Sequence, residues 1–157
     1  MSYKICFFFL SMILMLYYTA QKKSSIELRQ KQLNIETIEL TEQTRGTNRI
    51  FTFNSQSKTT SLNGNISTSD IISEEWQALI KEVSEIDLSK ISELQSPTTD
   101  RYTDKALIST IIINDNGKKY ESSAFDAGRP PLKLLNLYKK LQELKGTPYK
   151  KNKSNFR

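Results

Sequence analysis

A chain of 157 residues, 37% hydrophobic and 10% aromatic, can build one modest core and carries too many well-spread aromatics for wholesale disorder. It has no histidine, and its single cysteine, Cys6, lies in an apolar N-terminal run, which removes imidazole chemistry, disulfides, thiolate nucleophiles and cysteine-based metal sites from the rest of the chain. Lys and Arg number 23 against 17 acidic residues, a net +6, a moderate excess lying largely near the C-terminus and not on one element with stacking aromatics, as a specific nucleic-acid partner would call for.

Residues Ile5 to Ala20 read ICFFFLSMILMLYYTA, preceded by Lys4 and followed by Lys22 and Lys23. A short basic start, an apolar run and a small residue at its end describe a signal peptide over residues 1–20. Cleavage after Ala20 would place bulky Tyr18 where a small residue is preferred, so the segment also reads as an uncleaved N-terminal anchor. Both readings deliver the remainder to the periplasm, the cell envelope or the medium. Membrane contact is expected only through this segment, if it is retained. Residues 21–32 are polar and read as a linker.

Leu33 and Ile35, then Ile38 and Leu40, alternate with a slip that predicts a bulged strand. Arg45-Gly46-Thr47-Asn48 is turn chemistry, and Ile50, Phe51 and Phe53 return as a second strand. Asn54 to Asp70, rich in Ser, Thr, Asn and Gly, reads as a long loop or a frayed third strand around Leu62 and Ile66. Ser73 is placed to cap a helix whose first turn carries Glu74 and Glu75. Its apolar face is Trp76, Leu79, Ile80, Val83 and Ile86, and Leu88, Ile91 and Leu94 extend the stripe to Ser96-Pro97.

Ala106 to Ile113, β-branched and apolar on nearly both faces, predicts a central strand. Asn114-Asp115-Asn116-Gly117 predicts a hairpin turn. Tyr120 to Phe125 returns, with Tyr120, Ser122 and Ala124 on one face and Glu121, Ser123 and Phe125 on the other. Asp126-Ala127-Gly128-Arg129-Pro130-Pro131 leads into a helix with the buried face Leu134, Leu137, Tyr138, Leu141 and Leu144, ended by Gly146 and Pro148.

The expected fold is an α+β two-layer sandwich over residues 33–145: a four-stranded antiparallel sheet with two helices on one face, in the order β-β-α-β-β-α. Residues 146–157 form a basic tail. Together with Lys139, Lys140 and Lys145, its Lys150, Lys151, Lys153 and Arg157 read as solvated charge or as a weak contact for an anionic surface.

Four motifs have spacings met in functional sites. Ser55-Gln56-Ser57-Lys58 has the spacing of serine acyl-enzymes but sits in a polar loop without partner motifs. Asn114, Asp115 and Asn116 have the look of a calcium loop, but the twelfth position is Phe125 and not Glu. Asn65-Ile66-Ser67 and Asn152-Lys153-Ser154 are glycosylation triplets, relevant only in a eukaryotic secretory pathway. Asp104 and Asp126 are expected at one end of the central hairpin, beside Arg101 and Arg129. Two carboxylates there could share a divalent cation or do acid–base work, or could cap turns and pair with the arginines.

The segment from Pro97 to Leu141 carries SPTTDR, then TDKAL opening a strand, then NDNGKKYES, then FDAGRPP before a leucine-rich helix. It resembles a group of small secreted or lipid-anchored bacterial proteins that share a strand pair followed by an F-D-x-G-x-P-P turn. The resemblance implies an envelope location and an α+β fold, and brings no activity with it. In that group the residue after the aspartate is often histidine. Here it is Ala127, so no role of that histidine transfers.

The function expected from these readings is a non-catalytic binding module for a protein or glycan partner, without catalytic residues, cofactor or metal. The alternatives are a carboxylate-dependent hydrolase using Asp104 and Asp126, and an anionic-surface binder acting through the C-terminal tail.

Overall fold

The computed structural model describes Met12 and residues 33–145. The signal or anchor segment apart from Met12, the linker and the basic tail lie outside the described residues. Contacts divide the chain into Met1–Leu33 and Asn34–Arg157, and the second unit is the one described below.

Seven strands form one antiparallel sheet: β1 Ile35–Thr44, β2 Thr47–Phe53, β3 Ser57–Leu62, β4 Asn65–Asp70, β5 Ile108–Asp115, β6 Lys118–Glu121 and β7 Phe125–Asp126. The spatial order is β4-β3-β2-β1-β5-β6, and β7 pairs with β5 beyond the end of β6. Two helices, α1 Ser73–Ser84 and α2 Leu135–Lys145, follow β4 and β7 in the chain. Short 3-10 turns span Leu88–Glu93, Asp100–Thr103 and Leu132–Leu134.

The α+β class holds, but the four-stranded β-β-α-β-β-α arrangement does not. Asn54–Asp70 is neither a long loop nor a single frayed strand. It forms the β3–β4 hairpin, with Thr59 opposite Thr68 and Leu62 opposite Asn65. Its turn is Asn63-Gly64, with φ +50° and +89°, the left-handed pair that a two-residue hairpin requires. The strands escape an apolar-pattern reading because they carry almost no apolar residues. Threonine is β-branched and suits a pleated surface without needing a core.

Alternation gives the sheet two faces. Ile38 and Leu40 of β1 stand opposite Phe53 and Phe51 of β2, and opposite Ile113 and Ile111 of β5, and all six are buried. Both helices cover this side. They contact each other, and the end of α2 is tied to the sheet by polar groups. Lys58 Nζ donates to the Leu144 carbonyl at 3.4 Å, and the Glu42 Oε1 atom accepts from Gln142 Nε2 at 2.9 Å and Lys145 Nζ at 2.8 Å. The predicted helix faces hold: Trp76, Leu79, Ile80, Val83 and Ile86, and Leu134, Leu137, Tyr138, Leu141 and Leu144, are all buried.

Local details depart from expectation in two places. Ser73 is the first helical residue and not the cap; instead the Glu75 carboxylate accepts the amide of Ile72 at 3.3 Å. The return strand is also broken. Tyr120 pairs with Ile113 while Phe125 pairs with Ser109, a shift of one residue, so both aromatic residues stand on the core side. The bulge lies at Ser122–Ala124. There the Ser122 hydroxyl accepts the buried amide of Ile111 at 3.0 Å and donates to the Ser123 carbonyl at 2.9 Å. The bulge expected near the start of β1 is present between Ile35 and Thr37.

Candidate functional site

Two regions stand out: the turn around Asp126 at the foot of β5, and the sheet face opposite the helices.

Phe125 and Asp126 point to opposite sides of β7 because strand neighbours alternate. Phe125 enters the core and meets Tyr138 edge-on, with ring centroids 5.5 Å apart. Asp126 turns away from the helices and is fully buried beneath the segment carrying Asp100–Thr103. Its Oδ2 accepts the Asp100 amide at 2.8 Å, and its Oδ1 accepts the Arg101 amide at 2.9 Å and Arg101 Nη1 at 3.1 Å. The carboxylate therefore caps the 3-10 turn. Burial alone would raise its pKa. The buried Thr98 hydroxyl beside it, the Arg101 amide, the guanidinium and the Asp100 amide outweigh that, and hold it down at about 2.

The rest of the motif is also structural. Gly128 has φ +85°, where a β-carbon is strained, and its amide donates to the Tyr138 hydroxyl at 2.7 Å. Pro130 and Pro131 are buried and open the turn leading into α2. Burial pushes the Tyr138 hydroxyl above its ordinary pKa, an effect the Gly128 amide opposes and the Glu42 charge assists.

The four residues singled out from the sequence separate into three pairings. Arg101 and Asp126 come together in a sealed ion pair, with side chains 8% and 1% exposed. Arg129 reaches Asp100 at 2.9 Å on the surface. Asp104 faces Arg45 at 3.8 Å, also on the surface. Asp104 and Asp126 thus engage different partners. Asp126 has its oxygens filled by donors and no exposed surface, so it is unavailable to a substrate proton. Among the described residues, no three His, Cys, Asp or Glu side chains are grouped to hold a metal ion. A surface cleft of about 330 Å³ lies beside this corner, lined in part by Gln43, Arg45, Arg101, Asp104 and Ile108.

The other sequence motifs resolve into structure. Asn54 Oδ1 accepts the amides of Gln56 and Ser57, so Ser55 lies in a side-chain-closed bend while Lys58 already belongs to β3. The calcium-like residues fasten the start of β1: Asp115 accepts the Asn34 amide at 2.8 Å, and Asn114 donates to Thr37 at 2.7 Å. Lys145, counted with the basic tail, is instead paired with buried Glu42 and lies 4.8 Å from the Phe51 ring.

The opposite sheet face was not legible from the sequence because half of it belongs to the unexpected hairpin. The register places Ile66, Ser61, Ile50, Thr41 and Thr110 in one row across five strands. The adjacent row is Thr68, Thr59, Thr52, Glu39 and Ile112, ending at Glu121 on β6. Hydroxyls meet across strands: Thr41 and Thr110 at 2.6 Å, Thr59 and Thr68 at 3.1 Å, and Thr52 donates to Glu39 at 3.4 Å. No aromatic side chain stands on these rows. From β2 to β4 the only charged residue on this face is Asp70.

No family model, no curated protein and no solved structure matches this chain. No helix among the described residues is long and apolar enough to cross a membrane.

Proposed function

We propose that this protein is a non-catalytic interaction module, secreted or held in the cell envelope, that docks a protein partner on the helix-free face of its sheet. The observation that carries this reading is the composition of the two rows from β2 to β4, where serine, threonine and isoleucine stand without intervening charge. A sheet face kept only for solvation normally carries Lys and Glu, whereas depletion of charge marks the centre of an interface. Protein is favoured over glycan because the face offers no aromatic ring on which a sugar could stack. The envelope location rests on the apolar segment over residues 5–20 and on the resemblance carried by the FDAGRPP turn. The sealed pairing of Asp126 with Arg101 argues against the carboxylate-dependent hydrolase.

A photo-crosslinking residue placed at Thr59, and separately at exposed Lys139 on α2, tests the reading in the full chain within its native envelope or secreted fraction. The expected result is a discrete protein adduct from position 59 that position 139 does not give, and that Ile50→Glu abolishes. Equal labelling from both positions, no adduct from either, or a glycan adduct from position 59 would overturn it.

A further inference from the structure

We infer that β4 is a pairing edge, and that its occupant is a second copy of this chain, joined about a twofold axis through Thr68. This goes beyond the function proposed above and does not depend on it, since the edge pairs whether or not the open face binds anything.

The two edges of the sheet are unlike each other. β6 is four residues long, carries Lys118, Lys119 and Glu121, and gives way to the Ser122–Ala124 bulge. Short length, charge and bulges are the devices that stop strand edges from recruiting other strands. β4 has six residues, NISTSD, in unbroken register with β3, with no proline, no lysine and Asp70 as its sole ionisable group. Large apolar side chains left exposed gather around it: Leu62 at 45%, Ile72 at 59% and Ile66 at 72%.

The hydrogen-bond phase of the hairpin fixes which groups face outward. The Asn63-Gly64 turn closes on a hydrogen-bonded Leu62–Asn65 pair. The Ile71 amide donates to the Gln56 carbonyl at the far end, in the same phase. Odd-numbered residues of β4 therefore bond to β3. The amides and carbonyls of Ile66, Thr68 and Asp70 point away from the sheet.

A second β4, antiparallel and related by a twofold axis normal to the sheet, matches this phase in one centred register. Thr68 meets Thr68 of the other copy, and Ile66 meets its Asp70. Every outward amide and carbonyl of the three residues is then paired, no like charges stand opposite one another, and the residues keep to the same face. The threonine row Thr52–Thr59–Thr68 continues into the second copy, doubling the charge-poor face. A six-residue edge buries well under the roughly 1,200 Å² of a standard stable interface, so the dimer is concentration-dependent.

The test is a Thr68→Cys variant of the full chain in a Cys6→Ser background, mildly oxidised. Antiparallel hydrogen-bonded partners lie about 5.5 Å apart at Cα, within disulfide reach. The expected product is a disulfide-linked dimer at position 68, with at least tenfold less from a Ser57→Cys control one strand inward. Thr68→Lys, which sets two like charges on the axis, should raise the dimer midpoint in sedimentation at least tenfold, with an unchanged melting temperature when both chains are melted below their dimer midpoints. A Thr68→Cys chain that stays monomeric, whether its thiol is freely alkylated or shielded by other parts of the chain, overturns the inference. So does equal crosslinking from position 57, or sedimentation that Thr68→Lys leaves unchanged.

Discussion

Asp126 is ionised inside the fold, and its four-way environment makes it sensitive to both substitution and acid. Asp126→Asn removes the charge opposite buried Arg101 and leaves that guanidinium facing an amide. Breaking one side of a buried pair costs about 3–5 kcal/mol, and urea denaturation at neutral pH should show a loss of that order. The pH dependence has a defined sign. The folded-state pKa is depressed from 3.8 to about 2, so the carboxylate contributes stability that is full above 3.8 and fades as pH falls through 2. The gap in stability between the parent chain and Asp126→Asn should therefore be constant above about pH 5 and narrow between about pH 4 and pH 2. A gap that widens on acidification would contradict the assignment.

Ser122 and Gly64 govern the hairpins in which they sit. The Ser122 hydroxyl is the acceptor for the buried Ile111 amide within the bulge. Ser122→Ala strands that amide, and an unsatisfied buried donor costs about 1–3 kcal/mol; the melting temperature should fall accordingly. Gly64 holds φ +89° with open space around its α-carbon, so Gly64→Ala introduces backbone strain and no clash. The expected loss is about 1 kcal/mol, read by hydrogen exchange as faster opening of β3 and β4 than of β5. Legibility differed between these elements for the same physical reason. β1, β2 and β5 bury one face, so period-two apolar alternation marks them. β3 and β4 contain no fully buried residue, and their signal was the Asn63-Gly64 dipeptide between two polar, threonine-bearing segments, a turn signature and not a hydrophobic one. The shift at Ser122–Ala124 left no mark in the pattern, because Ser, Ser and Ala suit either face.

At the scale of the molecule, one packed layer holds both helices to the sheet, and a polar latch joins the Lys58–Leu144 bond in fastening the end of α2. Leu141 is fully buried, and Leu141→Ala should cost about 2–5 kcal/mol through lost burial and the cavity left behind. The latch is Glu42, 3% exposed, with Lys145 and Gln142 of α2 and with Arg49 at 3.8 Å. The sequence reading counted Lys145 with the solvated charge and gave Glu42 no role; only folding over a separation of about a hundred residues brings them together. The candidate cluster behaved likewise. Asp104, Asp126, Arg101 and Arg129 were recognisable as a group of charges near one hairpin end, yet their partition into a sealed pair and two surface pairs depends on which side of β7 Asp126 takes.

What the sequence determined by itself was the class of chemistry available and the apolar skeleton. The absence of histidine and the isolation of Cys6 follow from composition, and the strand and helix cores follow from periodicities of two and 3.6 that any burying element must show. What tertiary structure alone decided was the number of strands, the fate of each charge and the character of the open face. Those depend on pairings between residues remote in the chain, and polar side chains carry no periodic trace of the partner they will meet.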